Sequence, residues 1–291
     1  MRNDIPCFTA THATLDGIDI AYETGGVGPP LLLLHGFPQT RAMWAEVAPR
    51  LAQDFTVICP DLRGYGESGK PNGVDSYSFR EMARDQVALM RHLGHDSFHL
   101  AGHDRGGRTA HRMALDAPQA VRTLTVMDIV PTHLLLSDLT YKVAKAYYHW
   151  FFLAQPEPFP ESMIAANPEA YYESCLLSFG KATLADFNPA QLAAYRAAWA
   201  DPACRRAMCD DYRAAIEVDF HLDAADLGRR VPCPALVLYG ADGAMARAYD
   251  VPATWADRLA DMTARAIPGG HFFVDQSPQQ TADALRAFLI A

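Results

Sequence analysis

The sequence lacks several features that would assign it to a common class of protein. It has no block of basic residues and a formal net charge of −9, which argues against a nucleic-acid-binding surface. No apolar run approaches the roughly 20 residues of a membrane span, and the N-terminus shows no apolar leader. We therefore expect a cytoplasmic protein that acts on a small molecule, without nucleic acid or membrane.

Patterns for metals and disulfides are missing as well. The six cysteines form no C-x-x-C pair, there is no H-E-x-x-H sequence, and the histidines are spread along the chain. We therefore expect no metal ion. In a chain of 291 residues such cysteines indicate free thiols in a reducing compartment, which again predicts the cytoplasm.

What the chain does contain is an alternation of strand and helix patterns. Short runs typical of strands occur at residues 18–24, 31–34, 55–59, 97–101, 124–127, 235–239 and 263–267. Helical patterns lie between them, for example at residues 79–93 and 107–116. The alternation predicts an α/β fold with a mostly parallel, doubly wound sheet.

Residues 131–230 interrupt this alternation. The stretch is rich in aromatic residues and alanine, is punctuated by prolines, and contains no run typical of a buried strand. We interpret it as a helical cap, inserted after the strand that ends near Asp128, into a core made of residues 1–130 and 231–291. An insertion at the carboxyl edge of the strands would cover the ligand site.

The most informative motif is Gly-His-Asp-Arg-Gly at residues 102–106, between a strand pattern and a helical stretch. This is the context of a nucleophile elbow, in which glycines allow a strained turn that projects the central side chain. The central residue is Asp104 instead of the usual serine. A carboxylate that attacks sp³ carbon forms an alkyl ester on the enzyme, which water must then hydrolyse.

A histidine base is expected late in the chain, because this elbow goes with the order nucleophile, acid, histidine. His271 fits, since it follows the last strand pattern directly; a histidine in a surface loop is the alternative. Two carboxylates could orient it, because Asp128 and Asp242 each follow a strand at the carboxyl edge. Position alone leaves both open.

The backbone N–H groups of Phe37 and Arg105 are expected to face the Asp104 carboxylate and to form an oxyanion hole during ester hydrolysis. The neighbouring His35 is expected to brace this turn. Arg105 and Arg108 lie three residues apart at the start of the elbow helix, so they can share a face. They would suit the carboxylate of an anionic substrate, but pairing with acidic neighbours fits the spacing equally well.

Together, the aspartate elbow, the arginine pair, segment 128–132 (DIVPT) and segment 147–152 (YYHWFF) resemble the fluoroacetate dehalogenases of the α/β-hydrolase superfamily. Segment 61–68 (DLRGYGES) is similar to α/β hydrolases in general. The resemblance runs from about Asp16 to the closing helix. It implies the α/β-hydrolase fold.

The resemblance also implies a reaction. Asp104 would displace halide from C2 of a 2-haloacetate, so that fluoroacetate becomes glycolate plus fluoride. Arg105 and Arg108 would bind the substrate carboxylate, and His271, oriented by Asp128, would activate the hydrolytic water. Three side chains would donate hydrogen bonds to the leaving halide, namely His149, Trp150 and Tyr212. The resemblance further implies a homodimer and no cofactor.

Three alternatives remain open. An epoxide hydrolase uses the same chemistry with two cap tyrosines, for which Tyr147, Tyr148 and Tyr212 are candidates, and often places its acid later, as at Asp242. The arginine pair argues against it and against a haloalkane dehalogenase, because neutral substrates need no carboxylate clamp. A non-catalytic receptor for a small acid is the third alternative.

Overall fold

The strands form a single sheet in which most neighbours run parallel. The computed structural model describes residues 2–178 and 182–291. The sheet order is β1-β2-β4-β3-β5-β6-β7-β8; β2 runs antiparallel to both β1 and β4, and the remaining neighbours are parallel. The strands are β1 (Thr9–Leu15), β2 (Ile18–Gly25), β3 (Pro30–Leu34), β4 (Thr56–Pro60), β5 (Phe98–His103), β6 (Val121–Met127), β7 (Val231–Gly240) and β8 (Leu259–Ile267).

The central strands are apolar because helices cover both faces of the sheet. Every residue of β3 is buried, and so are four of the five residues of β4. The prediction of a mostly parallel, doubly wound sheet is confirmed. The edge strand β1 was not predicted, because most of its residues are at least partly exposed and it carries no apolar run.

The helices around the core strands follow the predicted alternation. The helix predicted at residues 79–93 spans Phe79–His92, and the Ser78 hydroxyl accepts a hydrogen bond from the Glu81 N–H at its start. The core helices are α1 (Ala48–Leu51), α2 (Phe79–His92), α3 (Arg105–Asp116), α12 (Ala244–Ala248), α13 (Val251–Trp255), α14 (Phe273–Gln276) and α15 (Pro278–Ile290). A 3₁₀ helix at Arg41–Glu46 and another at Val74–Tyr77 complete this part.

Between β6 and β7 the described residues form helices and no strand. They are α4 (Thr132–Ser137), α5 (Tyr141–Ala146), α6 (Tyr148–Leu153), α7 (Phe159–Ala165), α8 (Pro168–Ser178), α9 (Pro189–Ala200), α10 (Pro202–Ala214) and α11 (Phe220–Ala225), with a 3₁₀ turn at Leu184–Asp186 and a π-helical turn at Ala215–Asp219. Residues 179–181 of the predicted cap lie outside the described residues. The division into core and cap stays a prediction.

Within residues 2–178 and 182–291, every helix is too short or too polar to cross a lipid bilayer.

The sheet topology brings distant parts of the chain to one edge. The parallel strands β3, β5, β6, β7 and β8 all end at the same side, so the segments that follow them lie next to each other. These segments carry Phe37, Asp104, Asp128, Asp242 and His271, in that order along the chain. The carboxyl edge of the sheet is therefore where a site can be assembled.

Candidate active site

Asp104 sits at a strained turn between β5 and α3. Its φ and ψ are 49° and −115°, values that a side chain other than glycine rarely adopts. The flanking glycines allow the turn, because a Cβ on Gly102 would lie 2.3 Å from the Gly106 carbonyl oxygen and one on Gly106 would lie 2.4 Å from that of His35. The segment therefore has the geometry of a nucleophile elbow.

His271 lies between two carboxylates. Its Nδ1 is 2.7 Å from Asp128 Oδ2, and its Nε2 is 3.8 Å from Asp104 Oδ2. The Asp128 carboxylate is itself held by the Gly240 N–H, which donates to Oδ1 at 2.8 Å. Because Nδ1–H donates to Asp128, the Nε2 lone pair faces Asp104. The 3.8 Å separation between Nε2 and Asp104 Oδ2 is longer than a direct hydrogen bond.

Asp242, the other candidate acid, lies in an exposed turn. Its backbone N–H donates to the Gly269 carbonyl at 2.8 Å, so the residue shapes the turn before His271. Among the described residues, Asp128 is the carboxylate bonded to the His271 ring. The choice that position alone left open is thus made by tertiary packing.

The electrostatics of the site keep the Asp104 carboxylate ionised. Burial by itself raises the pKa of the Asp104 carboxyl, but His271, His103 and two guanidinium groups outweigh it and lower the pKa to about 2. Burial lowers the pKa of His271, yet the hydrogen bond to Asp128 and the negative charges of Asp128 and Asp104 raise it above its ordinary value. An anionic attacking group beside a basic imidazole is the arrangement that a two-step ester mechanism needs.

Of the two N–H groups predicted for the oxyanion hole, that of Phe37 contacts Asp104. The Phe37 N–H donates to Asp104 Oδ1 at 2.9 Å. Gly36 permits this approach, since a Cβ there would lie 2.5 Å from the Asp104 Cβ. The Arg105 N–H stands at the first position of α3, where amides have no partner within the helix, and its part stays a prediction. His35 braces the loop as expected, because its Nε2 accepts the Leu62 N–H at 3.0 Å.

Arg105 is held in place by an acidic neighbour. Its Nε donates to Asp211 Oδ2 at 2.9 Å, its Nη2 bonds both the Asp211 carboxylate and the Asp211 carbonyl, and Tyr65 donates to the same carboxylate at 2.6 Å. Its Nη1 is buried without a hydrogen-bond partner among the described residues. Arg105 therefore pairs with an acidic neighbour, Asp211, which orients its guanidinium. Its Nη1 edge remains for a ligand.

Arg108 is a buried cation with no ion pair in the described part of the chain. Its Nη1 donates to the Val130 carbonyl and to Thr132 Oγ1, both at 3.0 Å, and its Nε has no partner among these residues. Burial lowers its pKa to about 10, so it stays protonated at neutral pH. A buried guanidinium that bonds only neutral oxygens is a suitable place for a substrate carboxylate.

The three predicted halide ligands lie together above the arginines. The Tyr212 ring is 5.4 Å from the His149 ring and 5.3 Å from the Trp150 ring. The Arg105 guanidinium lies 4.3 Å from the Tyr212 ring, and that of Arg108 lies 4.9 Å from the Trp150 ring. Trp150 Nε1 and the Tyr212 hydroxyl are buried and have no hydrogen-bond partner among the described residues. These donors are available to a ligand.

His149 is buried beside the oxyanion loop. Its ring stacks on that of Phe37 at 5.7 Å, and burial lowers its pKa to about 3. The imidazole is therefore neutral at physiological pH, with one N–H to donate. The negative charge of Asp104 opposes this lowering of the His149 pKa.

Several residues of the site were not predicted. Asp211 is one of them, because nothing in its local sequence indicates that it binds Arg105. His103 Nε2–H donates to the His271 carbonyl oxygen at 2.8 Å. Thr132 belongs to segment 128–132, and its contact with Arg108 was not predicted. No group of three or more His, Cys, Asp or Glu side chains in the described residues is placed to hold a metal ion.

The fold is that of an α/β hydrolase, and comparison with known proteins agrees. The sequence matches the family model for the alpha/beta hydrolase fold over residues 29–278. A solved structure of an alpha/beta hydrolase from Nostoc sp. superposes with a TM-score of 0.95 at 45% identity, covering 97% of this chain and 98% of that one.

Two curated relatives refine the class. A fluoroacetate dehalogenase from Burkholderia sp. is 54% identical over 94% of this chain and 90% of its own. A soluble epoxide hydrolase from a Corynebacterium strain is 30% identical over 96% of each chain. The chain belongs to the α/β-hydrolase family and, within it, to the fluoroacetate dehalogenases.

Proposed function

We propose that this protein is a hydrolase of carbon–halide bonds that converts short 2-haloacids to 2-hydroxyacids, with fluoroacetate giving glycolate and fluoride. One observation carries the proposal. A carboxylate with a pKa of about 2 meets, in one buried site, an arginine without an ion pair and indole and phenol donors without hydrogen-bond partners among residues 2–178 and 182–291. In that order, these groups match the reacting carbon, the carboxylate and the halogen of a haloacetate.

In the first step, Arg108 and the open edge of Arg105 hold the substrate carboxylate and place C2 against Asp104. An Asp104 oxygen forms a bond to C2 as the carbon–halogen bond breaks on the opposite side. His149, Trp150 and Tyr212 donate hydrogen bonds to the departing halide. Fluoride needs this help because it is a poor leaving group, and hydrogen bonds to charged groups contribute about 1.5–3 kcal/mol each.

In the second step, His271 takes a proton from a water molecule that attacks the carboxyl carbon of the Asp104 ester. The oxyanion that forms accepts hydrogen bonds from the N–H groups of Phe37 and Arg105. When the ester bond breaks, the product oxygen takes the proton from His271. Asp104 is left as the carboxylic acid with the second proton of the water, and it loses that proton to solvent to regenerate the carboxylate. Asp128 holds the imidazole in the tautomer required and stabilises its positive charge.

The decisive experiment measures fluoride release from fluoroacetate by the purified protein beside the Asp104→Asn variant. Release that requires Asp104 is the expected result. A single turnover in ¹⁸O-water tests the ester route, because the label should enter Asp104 and be absent from the first glycolate formed. Label in that first glycolate would show that water attacks the substrate directly.

An epoxide hydrolase is the second candidate, and one observation favours it. Burial raises the pKa of the Tyr147 and Tyr212 hydroxyls, and the charge of Asp104 adds to the shift of both, as expected of buried phenols near that carboxylate. Tyr148, the third candidate, is 43% exposed. The unpaired Arg108 argues against a neutral epoxide or haloalkane. Turnover of a neutral epoxide at rates above those with haloacetates would reverse this assignment, and binding of acetate without any turnover would indicate a receptor.

We also propose that residues 131–230 act as a cap, that two copies form a homodimer, and that the enzyme is cytoplasmic. The helices after β6 leave apolar side chains exposed at Tyr148, Phe159 and Met163, which supports a contact surface there. Sedimentation equilibrium of the protein and of a Phe159→Ser, Met163→Ser variant tests the assembly. A monomer at all concentrations would overturn it.

A further inference from the structure

The loop with the oxyanion donor and the loop with the catalytic histidine are joined by a buried pair of side chains outside the triad. Gln39 Nε2 donates to Asp275 Oδ2 at 2.9 Å and to the Tyr195 hydroxyl at 3.0 Å. Gln39 lies two residues after Phe37, and Asp275 lies four residues after His271. The pair therefore connects the segment that carries the Phe37 N–H with the segment that carries His271.

The other two oxygens of this pair lack a donor. Gln39 Oε1 and Asp275 Oδ1 are both buried and have no hydrogen-bond partner among the described residues. A single proton on Asp275 Oδ1, donated to Gln39 Oε1, would satisfy both of these acceptors. Within the pair, Gln39 would then donate from Nε2 and accept at Oε1, while Asp275 would donate from Oδ1 and accept at Oδ2, as in a cyclic acid–amide dimer. Without that proton, both oxygens bear the cost of unmet hydrogen bonding.

We propose that Asp275 is a positioning residue, which as the protonated acid forms a cyclic pair with Gln39 and holds the Phe37 N–H and His271 around Asp104 for ester hydrolysis. The inference rests on the proposed function. Two further contacts anchor the same loop, because the Gln39 N–H donates to the Gly36 carbonyl at 2.9 Å and Trp199 Nε1 donates to the Pro38 carbonyl at 2.6 Å. Of these three contacts, the one between Gln39 and Asp275 is the one that contains a titratable side chain.

The surroundings favour the protonated form. Burial raises the pKa of Asp275 to about 7, although hydrogen bonds from Gln39 and Tyr195 oppose the shift, and the charge of Asp186 adds to it. Ionisable groups on the neighbouring elements have partners elsewhere: Arg41 with Asp61 and Glu23, Glu46 with Asn188, Asp283 with Gln279, and Arg286 with Asp54. In the described chain, no cation pairs with the Asp275 carboxylate.

The test compares two substitutions of the same residue. Asp275→Asn keeps one acceptor and gains a permanent donor, so it imitates the protonated acid at every pH. Asp275→Ala removes the pair. Single-turnover experiments measure decay of the Asp104 ester at pH 5 to 9, and each rate is divided by that of Asp275→Asn, so that the titration of His271 cancels. Asp283→Asn, an exposed aspartate on α15, is the control.

The wild-type ratio is expected to lie near one at acid pH and to fall about tenfold above pH 8, the effect of roughly one buried hydrogen bond. Asp275→Ala is expected to be slow throughout, with the rate of the first step unchanged. A flat wild-type ratio, or an Asp275→Asn variant as slow as Asp275→Ala, would overturn the proposal.

A second measurement does not depend on catalysis. The infrared difference between wild type and Asp275→Asn at acid pH should contain the carbonyl band of a protonated carboxylic acid, and the band should disappear as the pH rises through about 7. Absence of the band at acid pH contradicts the cyclic pair. If the band is present but no haloacid is hydrolysed, the proposed function fails while the buried acid pair stands.

Discussion

Asp104 combines two properties that a buried carboxylate rarely has together. It is only 4% exposed, yet its pKa is held at about 2 by the groups around it. Burial removes the water that would otherwise solvate the anion and slow its attack, while the nearby positive charge keeps it ionised. At the scale of a single residue, this balance makes an aspartate usable as a nucleophile toward carbon.

Replacing the base should separate the two chemical steps. In His271→Ala, the displacement still proceeds but no group activates the hydrolytic water, which costs about 10²–10⁴-fold in the second step. We expect one equivalent of fluoride per enzyme and an ester on Asp104, detected by mass spectrometry of the peptide. Asp104→Asn is the control, with neither fluoride nor adduct. Sustained turnover by His271→Ala would contradict the assigned role.

The pH dependence of the second step should reveal the charge on Asp104. The negative charges of Asp128 and Asp104 raise the pKa of His271 in the free enzyme, and ester formation removes the charge of Asp104. Hydrolysis needs the neutral imidazole, so its rate should rise with pH around a midpoint below the His271 pKa of the free enzyme. NMR titration supplies the free-enzyme value and single-turnover kinetics the midpoint. Equal values would mean that Asp104 does not influence the histidine.

Removing a halide donor should matter most for fluoride. Trp150→Phe and Tyr212→Phe each delete one hydrogen bond to a developing anion, so each should slow fluoride displacement about 10- to 150-fold. The loss should be smaller with bromoacetate, because bromide leaves more readily. Tyr171→Phe removes another buried hydroxyl without a partner among the described residues and is the matched control. Equal losses for both halides would indicate a packing role only.

At the scale of elements, two helices from distant parts of the chain share one electrostatic unit. Helix α3 carries Arg105 and Arg108 on a segment that is almost entirely buried, and α10 supplies Asp211 and Tyr212. The ion pair between Arg105 and Asp211 fixes α10 over the start of α3. Tyr212 follows Asp211 directly, so the contact that orients the arginine also places the proposed halide donor.

Breaking this contact should cost stability as well as activity. Asp211→Ala leaves the Arg105 cation buried without its partner, which typically destabilises a protein by about 3–5 kcal/mol. Urea unfolding measures the change in the free energy of unfolding. Asp54→Ala removes the exposed partner of Arg286 and should change it little. A similar response of the two variants would show that Asp211 has no special structural role.

At the scale of the whole molecule, the site is closed. The side chains of Asp104, Arg108, Trp150 and Tyr212 are all buried, so the site is screened from bulk water. In the described part of the chain, the buried Arg108 guanidinium at this site has no ion pair. Filling the site with an anion should stabilise the entire fold.

Acetate, which cannot react, should therefore raise the melting temperature. At 100 times its dissociation constant a ligand adds about 2.7 kcal/mol, or about 5 °C for a chain of this size. Acetamide has the same shape without the charge and should have little effect, and Arg108→Met should lose the response to acetate. Calorimetry provides the measurement. Equal shifts with acetate and acetamide would rule out charge recognition at Arg108.

The sequence by itself determined the type of fold and the type of chemistry. Buried strands such as β3 show themselves as apolar runs, and an elbow such as 102–106 needs glycines at set positions. Both signals are local, because they depend on the conformation of a few consecutive residues. The identity of Asp104 then restricts the reaction to ester formation at carbon. The exposed edge strand β1 has no such signal, which explains why it was missed.

Only the tertiary structure decided which side chains act on one another. His271 meets Asp128 across 143 positions of sequence, and Arg105 meets Asp211 across 106. Neither spacing predicts a contact, since Asp242 follows its strand just as Asp128 does. The choice depends on strand order, on helix packing and on the balance between burial and charge. These are properties of the assembled molecule, and no short segment of the chain contains them.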